Sequence, residues 1–407
     1  MPAYYISLSG DPAADGLSEM NPWPFAKLAS FRPEPGDVVR LQAGSVFPGQ
    51  INWYGQSIGD SARPILLDRY GAVAAPNPVI ASPDDAAGFA CNGPGGVHIG
   101  AIRFQGRCIS RNDVDGVHIT GADETPARNI KLTGTEMTGY TRSGLYIYLA
   151  RGVILDDVRF WENGKSTYLW TVDGLTVLGG EGRDNDFTWS FPSDGGNVGQ
   201  GLSIGDSRDV LVSGFTARRN GIRVGGGGAA GLSFQDCDRV RVADCVAEGN
   251  GDADPSTGDG QGIILYGCQA SVVEYCRATG NLHGGFSLFN DPYVREVRRC
   301  VIRHCVAERN VVDLAVVGNV RDCRVTWNRF FTSREDGQYR KAFDVANAVG
   351  TDRRLGVEVW GNEFRGEGDA ILLEAVPGLA GMQGLTTNVW AADSPVFAVR
   401  GRDFSKL

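Results

Sequence analysis

The chain has no amphipathic run longer than about two helical turns, which excludes all-α and helix-covered α/β folds. It has no stretch of about twenty apolar residues, so no helix of it crosses a bilayer. It has no excess of positive charge: 39 basic against 48 acidic residues leave a net charge of −9, which argues against non-specific nucleic-acid binding. No RRM, helix-turn-helix or zinc-knuckle pattern appears either. Lysine is scarce, five residues against 34 arginines. The opening Met1-Pro2-Ala3-Tyr4-Tyr5-Ile6 lacks the basic and long apolar segments of a signal peptide. A secreted, extracellular or particle-surface location, the expectation here, then requires a leader already removed or another route such as assembly into a particle. The nine cysteines are odd in number, and their spacing fits neither zinc nor a disulfide framework.

What the chain does have is glycine, 57 residues of it, and a repeat. Gly144-Leu145-Tyr146-Ile147-Tyr148, Val153-Ile154-Leu155 and Asn163 recur 22 residues later as Ser166-Thr167-Tyr168-Leu169-Trp170, Leu175-Thr176-Val177 and Asn185. Each half reads as two short alternating strands joined by a bend. A strand-only period of this size marks a solenoid. Alternation turns Leu145, Ile147, Thr167 and Leu169 inward and Tyr146, Tyr148, Tyr168 and Trp170 outward.

One strand type starts at Val97, Ile130, Val153, Leu175, Val210, Val240, Ser271, Cys300, Cys323 and Val357. Asn163, Asn185, Asn220, Asn250, Asn281 and Asn310 each fall ten residues after such a start. This column fits an internal amide ladder that satisfies backbone groups at a bend. Cys245, Cys276 and Cys305 fall five residues after their starts and read as an inward structural stack. The other strand type follows a glycine or its equivalent, from Gly116-Val117 through Gly201-Leu202, Gly231-Leu232, Gly262-Ile263 and Gly285-Phe286 to Ala370-Ile371. The expectation is an all-β, single-stranded parallel β-helix of about ten or more coils. Residues 1–96 would form an N-terminal cap and first coils, 97–385 the β-helix, and 386–407 a closing segment, since an open solenoid end needs covering.

The Gly-apolar-x-apolar strands, the asparagine column and the opening Tyr4-Tyr5-Ile6-Ser7 … Asp15-Gly16-Leu17-Ser18 … Pro35-Gly36-Asp37-Val38-Val39 together resemble the right-handed parallel β-helix proteins of the pectate-lyase-like superfamily. The resemblance covers nearly the whole chain. It implies that fold and a groove for an acidic polysaccharide; the superfamily holds lyases, hydrolases, epimerases and tailspikes.

Stacked coils bring equivalent positions close together, so Asp113, Asp115, His118, Arg142, Tyr146, Tyr148, Lys165, Tyr168 and Trp170 should form one patch. Lys165 and Arg142, on neighbouring coils, are similar to the lysine base and arginine of lyases in that superfamily. β-Elimination at a uronate needs a base for the C5 proton, a cation against the carboxylate, and an acid for the leaving oxygen. Lys165, Arg142, His118, Tyr146 and Tyr168 are therefore the catalytic candidates. Tyr148, Trp170, Trp189, Ser203 and Tyr266 are candidates for sugar contact. Asp259 and His283, with Asp115, are the alternative catalytic set, resembling polygalacturonase-type hydrolases without their paired carboxylates. Asp113 and Asp115, and the acidic run Gly251–Asp259, are candidate calcium ligands. The leading reading is a lyase; hydrolase, epimerase and non-catalytic glycan recognition are the alternatives.

Overall fold

The computed structural model describes residues 2–366 apart from 56–59, 108–113, 123, 187–198, 223–227, 252–258, 333–340 and 347–354. Beyond 366 it describes only 373–375, 382–383, 387–392, 398–399 and 402–403. The described residues are strands and turns, with one short 3-10 helix at Phe25–Ala29. Contacts divide the chain into two compact units: residues 1–181 with 187–195, and residues 182–186 with 196–407. This boundary differs from positions 96 and 386, where the sequence pattern changes.

In the first unit the coils begin at once. Ala3–Ser7 pairs in parallel with Val38–Gln42, which pairs with Ile65–Tyr70, and Ile65 aligns with Val97. The register then runs Val97, Ile130, Val153, Leu175 in one strand column and Val117, Leu145, Thr167 in the other. The two long strands Ser143–Asp156 and Lys165–Leu178 each hold both strand types. They bend through left-handed residues at Leu149 and Gly152, and at Thr171 and Gly174. The second unit continues the pattern on its own coils, with Leu202, Leu232, Ile263, Phe286, Leu314 and Phe343 stacked in its core. Its last outer strand pairs Phe343 with Leu373, two residues later than the Ala370-Ile371 pattern suggested.

Each regular coil also has a third strand, which the sequence did not reveal. Examples are Arg103–Gln105, Glu136–Thr138 and Arg159–Trp161 in the first unit, and Thr216–Arg218, Val246–Glu248 and Arg277–Thr279 in the second. The middle residue of each is the buried apolar one: Phe104, Met137 and Phe160, then Ala217, Ala247 and Ala278. A three-residue element with one apolar position carries no detectable alternation.

The amide ladder is present in the second unit. Asn185, Asn220, Asn250 and Asn281 each donate from Nδ2 to Oδ1 of the next asparagine at 2.8–2.9 Å, ending at Asn310. The same side chains also bond the backbone of neighbouring coils, so a buried corner keeps its polar groups paired. The glycines that open the outer strands are explained by this ladder. A Cβ at Gly201, Gly231, Gly262 or Gly285 would lie 2.7–2.9 Å from the Nδ2 of Asn220, Asn250, Asn281 or Asn310. Glycine is required there for close approach rather than for a special φ.

The eight described cysteines are free and buried. Cys245, Cys276 and Cys305 direct their thiols at backbone carbonyls of the preceding coil. The column then changes chemistry: Asn328, Asn362 and Asn388 take the position and form a second amide ladder, which opens on the Cys305 backbone N–H. Asn328 Nδ2 bonds the Ile302 carbonyl as Cys305 Sγ bonds that of Val273. Thiol and amide thus play one structural role.

Candidate active site

The first unit positions a compact cluster on its outer strand face. Strict alternation in Ser143–Asp156 and Lys165–Leu178 buries Leu145, Ile147 and Leu169 and leaves Tyr146, Tyr148, Tyr168 and Trp170 half-exposed. Parallel register aligns His118 with Tyr146 and Tyr146 with Tyr168. Coil spacing is close to ring-stacking distance, so the three rings form a ladder. His118 lies 4.5 Å from Tyr146 at 3°, and Tyr146 lies 5.0 Å from Tyr168 at 2°. Trp170 stacks on Tyr168 at 5.1 Å, and exposed Tyr54 approaches His118 at 6.1 Å.

Beneath the ladder sits Asp115, 2% exposed. Its carboxylate accepts hydrogen bonds from Arg142 through both Nε (2.9 Å) and Nη2, from the Ser143 hydroxyl, and from His118 Nδ1 at 2.9 Å. Burial alone would raise the Asp115 pKa, but the bonds from His118 and Arg142 and the guanidinium charge hold it below the usual carboxylate range. An ionised carboxylate can only accept, so His118 Nδ1 carries a proton, and in the neutral ring the lone pair is then on Nε2. The Arg142 guanidinium also lies 4.4 Å from the Tyr146 ring centre. Lys165 is 4% exposed, in register with Ser143, and its ammonium lies 4.8 Å from the Tyr168 ring centre. Burial pushes the Tyr146 phenol up to about 12, so it stays protonated at neutral pH.

The structure thus brings together Asp115, His118, Arg142, Tyr146, Tyr148, Lys165, Tyr168 and Trp170. It changes what the aromatics can do. Tyr146 has His118 on one side, Tyr168 on the other and Arg142 against its ring, so this ring offers its edge and hydroxyl rather than an open face. Ser143 and Tyr54 are additions that sequence reasoning missed. Ser143 stood in the right column without an evident role, and Tyr54 lay in the opening segment, where no repeat was visible.

Ser203 and Tyr266 lie in the second unit, in settings of their own. Ser203 is buried and in register with Ser233, and the Tyr266 hydroxyl donates to Asp291. Burial and that carboxylate raise the Tyr266 pKa. In the alternative set, His283 Nδ1 accepts from Gln261 Nε2 at 2.7 Å, while Ser287 donates to Gln261 Oε1. Trp189, Asp113 and most of the 251–259 run lie outside the described residues. Among the described residues no group of three or more His, Cys, Asp or Glu side chains could hold a metal. Asp115 in particular spends its oxygens on Arg142, Ser143 and His118. The described residues do not fit calcium here.

A family model described as "Right handed beta helix region" matches residues 172–339, which gives the coils of that stretch their hand. Among solved structures, a mannuronic acid specific polysaccharide family 6 lyase from human gut microbiota has a TM-score of 0.61 at 14% identity. That match covers 98% of this chain and 89% of the other. The Dettilon tailspike protein has a TM-score of 0.46 at 13% identity, covering 88% of this chain and 62% of the other. A GH136 lacto-N-biosidase from Eubacterium ramulus has a TM-score of 0.42 at 14% identity, covering 96% and 67%. No curated protein matches the sequence. At such identities the likeness is one of fold: the chain is a right-handed parallel β-helix.

Proposed function

We propose that this right-handed parallel β-helix cleaves an acidic polysaccharide at uronate residues by β-elimination, on the outer strand face of its first unit. The observation that carries the reading is His118, oriented by buried Asp115 and stacked on Tyr146, with the cations Arg142 and Lys165 alongside. His118 Nε2 removes the C5 proton, and the electron pair left behind forms the C4–C5 double bond. The C4–O bond breaks, and the leaving oxygen takes a proton from Tyr146 or Tyr168. Arg142 and Lys165 stabilise the negative charge that builds on the uronate carboxylate as C5 loses its proton. Lys165, the base suggested by sequence, is given the cationic role here because its Nζ sits 4.8 Å over the Tyr168 ring, beside the Tyr146–Tyr168 stack. A hydrolase would need two working carboxylates, and Asp115 is committed to its partners.

The test is absorbance of the 4,5-unsaturated uronate on alginate, polygalacturonate and chondroitin. His118→Ala should lower turnover by about 10²–10⁴-fold, the usual worth of a general base. Lys165→Arg should keep more activity than Lys165→Ala. Equal activity of His118→Ala and wild type would remove the mechanism. New reducing ends without absorbance would make the protein a hydrolase, and binding without either product a recognition platform.

A further inference from the structure

The corner four residues after each start of the strand type that begins at Val97, Ile130 and Val153 is left-handed on ten coils. In the first unit it holds Ala101, Gly134, Asp157 and Gly179; in the second it holds Gly214, Asp244 and Gly361 at its flanks. These are small or turn-forming residues, as a left-handed conformation favours. On three consecutive coils of the second unit the same corner holds Tyr275, His304 and Trp327, with φ of 56°, 54° and 58°. Bulky residues are uncommon in this region, and although other bends of the chain hold Leu149, Thr171 and several arginines, no other of these ten corners carries an aromatic. The fold does not require them, since the neighbouring coils turn with Asp or Gly.

The three side chains are exposed, Tyr275 at 57% and Trp327 at 55%. Tyr275 and His304 stack at 5.2 Å and 7°, while Trp327 meets Trp360 edge-on at 5.3 Å and lies against Gly361, where a Cβ would come within 3.1 Å of its ring. Arginines border the strip. Arg241 and Arg303 share the single buried carboxylate of Glu274, leaving one positive charge uncompensated within that trio. Arg277, Arg324 and Arg329 are exposed nearby on the same coils, each against a glutamate. Rings with apolar faces among guanidiniums suit a ligand with both C–H faces and carboxylates.

We propose that the strip Tyr275–His304–Trp327 is a second binding site, separate in sequence and in its compact unit from the cluster around His118, for an acidic polysaccharide chain. It would hold polymer without cleaving it, raising the effective concentration of substrate. The polymer class rests on the proposed function; the existence of the site rests on the corner residues alone.

The test uses the full chain carrying His118→Ala, so that cleavage does not shorten the probe. Migration is followed in gels containing alginate, polygalacturonate or neutral dextran. Tyr275→Asn with Trp327→Gly restores turn-forming residues at the corner, so its unfolding midpoint should not fall. Retention by at least one of the two acidic polymers should weaken about tenfold, the scale of one or two lost aromatic contacts, with dextran retarding neither protein. Unchanged retention, or equal retardation by dextran, would overturn the site. So would wild-type self-association by sedimentation that this variant abolishes, which would make the strip a contact between copies. If His118→Ala leaves turnover intact but the corner variant loses polymer, the proposed mechanism falls and the strip stands. The opposite outcome removes the strip alone.

Discussion

The two units wind by the same rules and dress their outer strands differently. Ahead of the outer strand, the first unit places Asp115, Ser143 and Lys165 in register, and the second places Gln200, Ala230 and Gln261. On the strand itself the first unit presents His118, Tyr146 and Tyr168, and the second Ser203, Ser233 and Ile264. At the left-handed corner the contrast reverses: Gly134, Asp157 and Gly179 in the first unit, Tyr275, His304 and Trp327 in the second. A coil leaves these positions free of core duty, so each unit can specialise a separate face. Charge and rings are concentrated where chemistry is proposed, and uncharged, non-aromatic side chains occupy the second-unit positions compared.

The sharpest way to break this contrast is Asp115→Ala. It leaves Arg142, mostly buried, without its carboxylate and frees His118 to rotate. The expected loss is about 3–5 kcal/mol of stability, the usual cost of stripping one partner from a buried ion pair, together with turnover; urea unfolding and the uronate assay check it. The same pair makes the first unit acid-sensitive. The folded-state pKa of Asp115 lies below its unfolded value, so its contribution is complete above the ordinary carboxylate value of 3.8 and is lost as pH falls through the folded value. Hydrogen exchange below about pH 4 should loosen the Asp115 neighbourhood before the Gln261 column, and simultaneous loosening would count against it.

Asn250→Ala should have the next effect. It interrupts the amide ladder and strands the Asn220 backbone N–H and amide that both use Asn250 Oδ1. A cost of about 1–3 kcal/mol per buried group left unpaired is expected, with the cleavage proposed for the first unit unchanged. The smallest effect belongs to Gln261→Ala, the neutral counterpart of Asp115→Ala. Its amide carries no charge, so a loss near 1 kcal/mol and no change in the acid limb are expected. A cost as large as that of Asp115→Ala would erase the difference between the units.

Much of the coil was legible because a solenoid repeats its constraints at one residue spacing. The Asn column, the Cys column and the alternating strands each leave a periodic mark. The third strand left none, and Asn328, Asn362 and Asn388 escaped because they follow the cysteine column rather than the first asparagine column. The patch of Asp115, His118, Arg142, Tyr146, Lys165 and Tyr168 could be assembled from register alone. The partners within it could not. Sequence placed Arg142 and Lys165 on neighbouring coils, but the bonds from the guanidinium to Asp115 are visible only in the structure.

The sequence alone determined the winding, the inward and outward faces, and which residues of different coils become neighbours, because backbone pairing fixes side-chain direction every second residue. Tertiary structure decided everything that depends on rotamer and burial. It sank Asp115 beneath the stack, closed both faces of Tyr146, laid the Lys165 ammonium over Tyr168 and held three bulky residues in left-handed corners. Those choices are settled by packing and hydrogen bonding between coils, which no single repeat carries in its own residues.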